Sequence, residues 1–354
     1  MLPFRATSFF IGCALVVGLG SDARQRPADR SSSRVGASTD SAAETSVFAE
    51  ARHLLQVGKY DEALAVLKNL ETDAPSTRGL AHEIGTAYYR KSDFNNSAKY
   101  FRRALDSNPK DSEAIQLLGL SYYLGGKPGE AIPLLEQVQS WFPSANVDAA
   151  YVLGICYIQT KAYPQARQSF AKMFGVGPDS ASSYLFTARM LLRQDFGPVA
   201  EEYAQRAVTL DPKLPLAHQL LGELYLFQSK IPEAIDQLQK ELEINPGNAA
   251  GYYKLADAYS RVQKYDEAEK LLQRSIWLDA TSTGPYILMG KVLEKKGETE
   301  LAVRALQRAL AMDPNNSIPH HLLGQAYREL GRTEDAEREL KLAESLQSRQ
   351  NEKP

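Results

Sequence analysis

Residues 117–138 read LLGLSYYLGGKPGEAIPLLEQV, two apolar runs of helical spacing that meet at Gly125-Gly126-Lys127-Pro128. The first run stops at the glycines and the second opens on Gly129-Glu130-Ala131. Glycine and proline end one helix, and an acidic residue favours the start of the next, so the stretch predicts helix, tight turn, helix. A hairpin of this size cannot cover its own apolar face, and neighbours of the same kind have to supply the rest of the core.

The neighbours are present. KYDEA stands at residues 59–63 and again at 264–268, an offset of 205, which is six periods of 34 plus one. Proline recurs in that phase at Pro75, Pro109, Pro143, Pro178, Pro212, Pro246 and Pro314, with Ala280 and Ser348 in the two remaining slots. Each step is 34 except Pro143 to Pro178, which is 35, and the extra residue is expected near 144–147. Twelve residues before these slots come Ala63, Ser97, Ala131, Ala166, Ala200, Ala234, Ala268, Ala302 and Ala336, all small. A further twelve back come Ala51, Gly85, Gly119, Gly154, Ala188, Gly222, Ala256, Gly290 and Gly324, again all small. Three residues after each of these stands Leu or Tyr, from Leu54 and Tyr88 to Tyr327. Small residues at matched places let two helices approach closely, and the large residue fills the space beside them. Asn108-Pro109, Asp211-Pro212, Asn245-Pro246 and Asp313-Pro314 are expected to end second helices, because proline disfavours helical backbone in the residue before it.

This pattern resembles the tetratricopeptide repeat family: a small residue, an aromatic three later, an alanine twelve after the small residue, and a closing proline. Nine copies fill residues 45–350, followed by a tail at 351–354. The fifth departs from the pattern, with Ala188 and Leu191 for the usual Gly and Tyr, and the strongly charged TEDAERELKLAESLQ suits an end cap. The resemblance implies an all-α, right-handed superhelical solenoid whose first helices line the concave side.

Read on the first helices, that side is polar in the first two repeats, with Phe48, Arg52, His82, Thr86, Tyr89 and Arg90. It turns apolar in repeats three to six and polar again from Asp257 and Arg261 to Arg328 and Glu329. The candidate partner-binding groove is Tyr123, Leu124, Tyr151, Ile155, Ile158, Leu185, Arg189, Leu192, Arg193, Leu226 and Phe227. An apolar patch bounded by charge marks a partner site that would take an amphipathic helix or extended segment. Two alternatives stay open: these residues are ordinary core, or the chain's own linker covers them. The Lys and Asn clamp by which one variant of the family grips acidic chaperone tails has no counterpart in the matching slots, Phe48 with Arg52, His82 with Thr86, and Gln116 with Leu120.

With 41 basic and 43 acidic residues the chain is near neutral, which argues against a nucleic-acid partner. The two cysteines, Cys13 and Cys156, give no disulfide framework. MLPFRATSFFIGCALVVGLG, residues 1–20, has an early cation, an apolar run from Phe9 to Leu19 and small residues before Ser21. It reads as a secretory signal peptide, too short for an ordinary membrane span. Cys13 lies inside the apolar run after Phe10-Ile11-Gly12, which is poorly placed for lipidation. A periplasmic or secreted protein is expected, or one anchored by an uncleaved leader. Residues 21–44 lack aromatics and read as a disordered linker.

No catalytic or cofactor site emerges. His320 and His321 are neighbours on a helix and point apart, His218 faces the packing side, and His53 lacks a partner at metal-ligand spacing. Cys156 reads as a buried inert thiol, and Trp141 and Trp277 as interhelix packing. The expected function is a non-catalytic protein-interaction scaffold without metal or cofactor, binding a peptide or helix of a partner protein. A structural subunit of a cell-envelope assembly and a recruiting arm for a separate enzyme chain are the alternatives.

Overall fold

The computed structural model of the chain describes residues 38–141 and 147–351. These form α-helices arranged as consecutive hairpins. Repeat one is α1 (Ser38–Gln56) and α2 (Tyr60–Asp73), repeat two α3 (Leu80–Arg90) and α4 (Phe94–Ser107), repeat three α5 (Ser112–Leu124) and α6 (Pro128–Trp141). Then come α7 (Val147–Gln159) with α8 (Tyr163–Phe174), α9 (Ala181–Arg193) with α10 (Gly197–Leu210), and α11 (Ala217–Phe227) with α12 (Ile231–Ile244). The last three pairs are α13 (Ala249–Arg261) with α14 (Tyr265–Leu278), α15 (Thr283–Lys295) with α16 (Thr299–Met312), and α17 (Ser317–Glu329) with α18 (Thr333–Asn351). Nine hairpins of an all-α solenoid are thus present among the described residues. The leader at 1–20 lies outside them, as does the place expected for the extra residue, apart from Val147. The linker needs a correction: its residues 38–44 already belong to α1. Ala42, Ala43 and Glu44 are strong helix formers, so lack of aromatics there does not mean lack of helix.

Each hairpin turns by one device. The residue two positions beyond the first helix is left-handed in all nine: Gly58, Ser92, Gly126, Lys161, Asp195, Ser229, Gln263, Gly297 and Gly331, with φ between 60° and 80°. The next residue donates its N–H back to the Leu or Tyr of the large slot, as in Lys127 to Tyr122 at 2.8 Å, Ala162 to Tyr157 at 2.7 Å and Arg332 to Tyr327 at 2.8 Å. This bond closes the helix end in a Schellman arrangement and satisfies a carbonyl that would otherwise lack a partner. Second helices stop where the prolines predicted, with Asn108, Asp211, Asn245 and Asp313 as C-caps. Aspartates and asparagines then restart the chain: Asp111 accepts from Ala114 N–H at 3.0 Å, and Asn248 from Gly251 N–H at 2.9 Å.

The small slot is small for a measurable reason. A Cβ on Gly154 would lie 2.5 Å from the Phe170 ring, one on Gly222 would lie 2.6 Å from Leu238, and one on Gly324 would lie 2.5 Å from Leu340. In the six repeats with glycine in this slot, first and second helix therefore meet glycine against a large side chain. Ser97, the one polar residue among the alanine slots, is fully buried; its hydroxyl lies 3.1 Å from the Gly85 carbonyl and 2.8 Å from Ser121 Oγ. Buried core side chains recur along the array, from Leu67 and Ile84 through Phe101, Leu135, Phe170, Leu191 and Leu238 to Leu306. Burying each such side chain contributes about 1.5–3 kcal/mol.

Curvature follows from which helices meet. α1 packs on α3, α3 on α5, α5 on α7, α11 on α13, α13 on α15, and α15 on α17, whereas no two second helices pack to that extent. First helices crowd together and second helices splay, so the first helices form the inner side.

Candidate partner-binding surface

The predicted groove divides once side chains are placed. Ile155, Ile158, Leu185 and Leu226 are corrected to core, with exposures of 1, 0, 6 and 5%. Ile155, Ile158 and Leu185 share one cluster with Leu191 and Leu220, and Leu226 packs with Leu238 and Leu255. Apolar residues on adjacent first helices collapse onto one another and close the trough that an isolated helix would leave open. Tyr123, Tyr151 and Leu192 pack half-buried against the same cluster. Burial raises the Tyr123 phenol pKa above its ordinary value. Arg189 is partly exposed, Arg193 exposed, and Leu124 and Phe227 stand out at 43 and 80%. The tryptophans also need correcting: Trp141 is exposed, and Trp277, 71% exposed, has the Arg274 guanidinium 4.3 Å from its ring centre.

The open part of the inner side lies nearer the amino terminus. A cleft of about 1370 Å³ is bounded by α1, the start of α2, α3, the end of α4 and the start of α5. Phe48, Leu55 and Tyr60 supply apolar wall, and His82, Thr86 and Arg90 project from α3. Arg52 donates through Nε to Glu83 at 2.9 Å, so that carboxylate is neutralised inside the wall. His82 Nδ1 lies 3.0 Å from Asp111, whose other oxygen caps α5, and Nε2 lies 3.7 Å from Glu113. The imidazole thus ties repeat two to repeat three, and its ring stands edge-on to Phe101 at 5.6 Å. Arg78 and Arg90 line the cleft and form no ion pair or hydrogen bond among the described residues. Phe48, Arg52, His82, Thr86 and Arg90 were legible as polar inner positions, but the openness of this end was not. Tyr60 at the start of α2, and Asp111 and the loop 75–79 between repeats, complete the cleft from helix ends and turns, where periodicity along one helix carries no signal.

The remaining chemistry-bearing groups are occupied. His218 is buried, with Nδ1 2.7 Å from Gln237 and Nε2 3.1 Å from the Pro212 carbonyl; His320 repeats this with Glu339 at 2.6 Å and the Pro314 carbonyl at 3.1 Å. His321 faces out, as adjacency on a helix requires. Cys156 is fully buried and its thiol is pushed up to about 12 by burial, so thiolate chemistry is suppressed. Among the described residues no group of three His, Cys, Asp or Glu could hold a metal ion, and no helix is long and apolar enough to cross a membrane.

Comparison with known proteins adds the following. The family model of anaphase-promoting complex, cyclosome, subunit 3 matches residues 90–173 and 198–275, and a tetratricopeptide repeat model matches 293–348. The human intraflagellar transport protein 88 homolog is 26% identical over 102 residues, which is 27% of this chain and 12% of that protein. The chain thus spans about an eighth of that relative. Among solved structures, the APC/C hetero-tetramer Cut9-Hcn1 covers 75% of this chain and 52% of its own, at 20% identity and TM-score 0.45. YrrB, described as a TPR protein with an unusual peptide-binding site, covers 52 and 94% at 21% identity and TM-score 0.43. MamA from Desulfovibrio magneticus RS-1 covers 49 and 97% at 19% identity and TM-score 0.45. With family models falling on both halves of an array whose hairpins share one period and one turn, the chain is a tetratricopeptide repeat protein.

Proposed function

We propose that this chain is a non-catalytic scaffold that binds a peptide or helix of a partner protein along its inner side. The amino-terminal cleft supports the reading best. At about 1370 Å³ it exceeds the roughly 300–1,000 Å³ of a small-molecule pocket, and its walls come from five helices of three repeats. Such a trough suits a length of polypeptide. Its lining mixes apolar wall with unpaired guanidinium groups, the combination that fixes both the seat and the register of a bound segment. Site-specific photo-cross-linkers at Arg90 and Phe227, with Lys99 and Arg308 on second helices as outer controls, test this in the native host. A shared partner captured only from the inner positions is the expected result. Capture only from Lys99 and Arg308 would refute inner-side binding.

The protein is also proposed to be exported, on the strength of the leader at residues 1–20. A mature chain beginning at Ser21 in the periplasm or medium supports this, and an intact Met1 on cytosolic protein counts against it.

A further inference from the structure

The last position of each first helix recurs on the rim of the inner side, and in repeats five to eight it is occupied by Arg193, Phe227, Arg261 and Lys295. The Phe227 ring is 80% exposed, yet the helix that carries it is held firmly. At its start, the buried Glu241 carboxylate accepts from Leu216 N–H at 3.0 Å and Gln219 N–H at 3.4 Å. At its end, Arg261 Nη1 donates to the Leu226 carbonyl at 3.1 Å. The fold makes no use of the ring itself. A rigidly mounted, solvent-facing aromatic is the type of side chain that anchors interfaces.

The charges around it are asymmetric. Asp257 is engaged by Arg261 at 2.8 Å, and Glu223 by Gln219 at 2.9 Å. Glu294 is half-buried beside Glu329, and its carboxyl is held above the usual range by burial first and that neighbour second. Arg189, Arg193, Lys291 and Lys295, by contrast, form no ion pair or hydrogen bond among the described residues. Asp257 and Glu223 are thus spent within the protein, and the four cations outnumber the carboxylates left without a partner on this stretch, Asp195 and Glu294, on a chain whose formal charge is −2.

We infer that the rim of repeats five to eight receives an acidic segment of a partner protein, with one apolar side chain seated on Phe227 and carboxylates on either side meeting Arg189 and Arg193 or Lys291 and Lys295. This rests on the proposed use of the inner side for protein binding and adds the chemistry of the partner. First helices α11, α13 and α15 pack successively, so Lys295 lies two helix spacings from Phe227, roughly 16–20 Å. At about 3.3 Å per extended residue, acidic side chains are expected about five or six positions from the apolar anchor. Four cations without ion pairs, interspersed with carboxylates such as Asp195, Glu223, Asp257 and Glu294, fit a short acidic peptide better than a uniformly charged nucleic-acid backbone.

The test uses the full chain. A random dodecapeptide library displayed on phage is selected against it, and enriched peptides are labelled and titrated by fluorescence anisotropy. The expected binders are net acidic with an aromatic or aliphatic residue. Phe227→Ala and the pair Arg193→Glu, Lys295→Glu are each expected to weaken them at least about tenfold. Raising salt from about 50 to 300 mM is expected to weaken them several-fold by screening. These side chains are exposed, so circular dichroism and thermal unfolding should match the parent. Neutral or basic binders, indifference to Phe227→Ala, or equal displacement by a single-stranded oligonucleotide would each overturn the inference. Binders lost on Arg90→Glu but kept on Phe227→Ala would overturn it and leave inner-side binding standing. Absence of any binder would overturn both.

Discussion

Replacing Gly154 by alanine tests the contact that sets the spacing of the fourth hairpin, α7 with α8. The new Cβ would stand 2.5 Å from Phe170 Cε1 and 2.6 Å from Cζ. Carbon atoms rest about 3.5–4.0 Å apart, so the ring or the helix must retreat by about 1 Å. Phe170 is fully buried among Ala166, Ile155 and Leu191, with Tyr151 tilted against it at 6.4 Å, and has little room to move. Overpacking of this kind costs about 1–3 kcal/mol, against a gain of about 1 kcal/mol from replacing glycine in a helix. A net loss of about 1 kcal/mol is expected. In a Phe170→Ala background the clash disappears and only the propensity remains, so the same substitution should now stabilise. The fifth repeat already carries Ala188 and Ala204 at the two equivalent places, both fully buried. Hydrogen exchange of α7 and α8 amides across the four variants measures the coupling locally, whatever the rest of the array does. Equal cost of Gly154→Ala in both backgrounds would refute the steric account.

The turn position offers a gain. Lys161→Gly and Gln263→Gly should each stabilise by about 0.5–1 kcal/mol in chemical denaturation, because φ values of 62° and 60° burden a side-chain-bearing residue; a fall in stability would mean those backbones are unstrained. Glu294→Gln should raise the denaturation midpoint near pH 7 and leave it unchanged below about pH 4. The sign follows from its raised folded pKa: the native state favours the protonated carboxyl, so the contribution is present at low pH and lost as pH rises through the folded value. A midpoint that drops at pH 7 would show that Lys291 and Lys295 outweigh burial and Glu329.

The hairpins and their closeness were legible because each depends on a residue type that only one geometry tolerates. Glycine at residues 85, 119, 154, 222, 290 and 324 leaves room for a large side chain of the second helix, and Asn or Asp before proline closes that helix. Glycine marks the left-handed turn at Gly58, Gly126, Gly297 and Gly331. Ser92, Lys161, Asp195, Ser229 and Gln263 adopt it too, and these residues share no chemistry. There the backbone bond to the large slot imposes the conformation, and propensity yields to it. Trp277 went astray for a related reason. Its phase places it at the end of a second helix, but second helices splay, and the ring stays in water over Arg274.

The candidate site was harder to read than the hairpins, because period and exposure are separate quantities. Leu226 and Phe227 are adjacent on one inner stripe, and one is 5% exposed while the other is 80%. They point about 100° apart on α11, and a stripe wide enough to hold both does not say which one is covered. What separates them is the next first helix, which covers the inner slot and stops short of the rim slot. Ile155 and Ile158 are sealed in one cluster with Leu185, whereas at the first repeats Arg52, His82 and Arg90 are polar and the wall stays open. Apolar residues on the inner side of such an array therefore erase the groove that their pattern announces. Polar residues keep it open, and a lone aromatic left on its rim is the better mark of a partner.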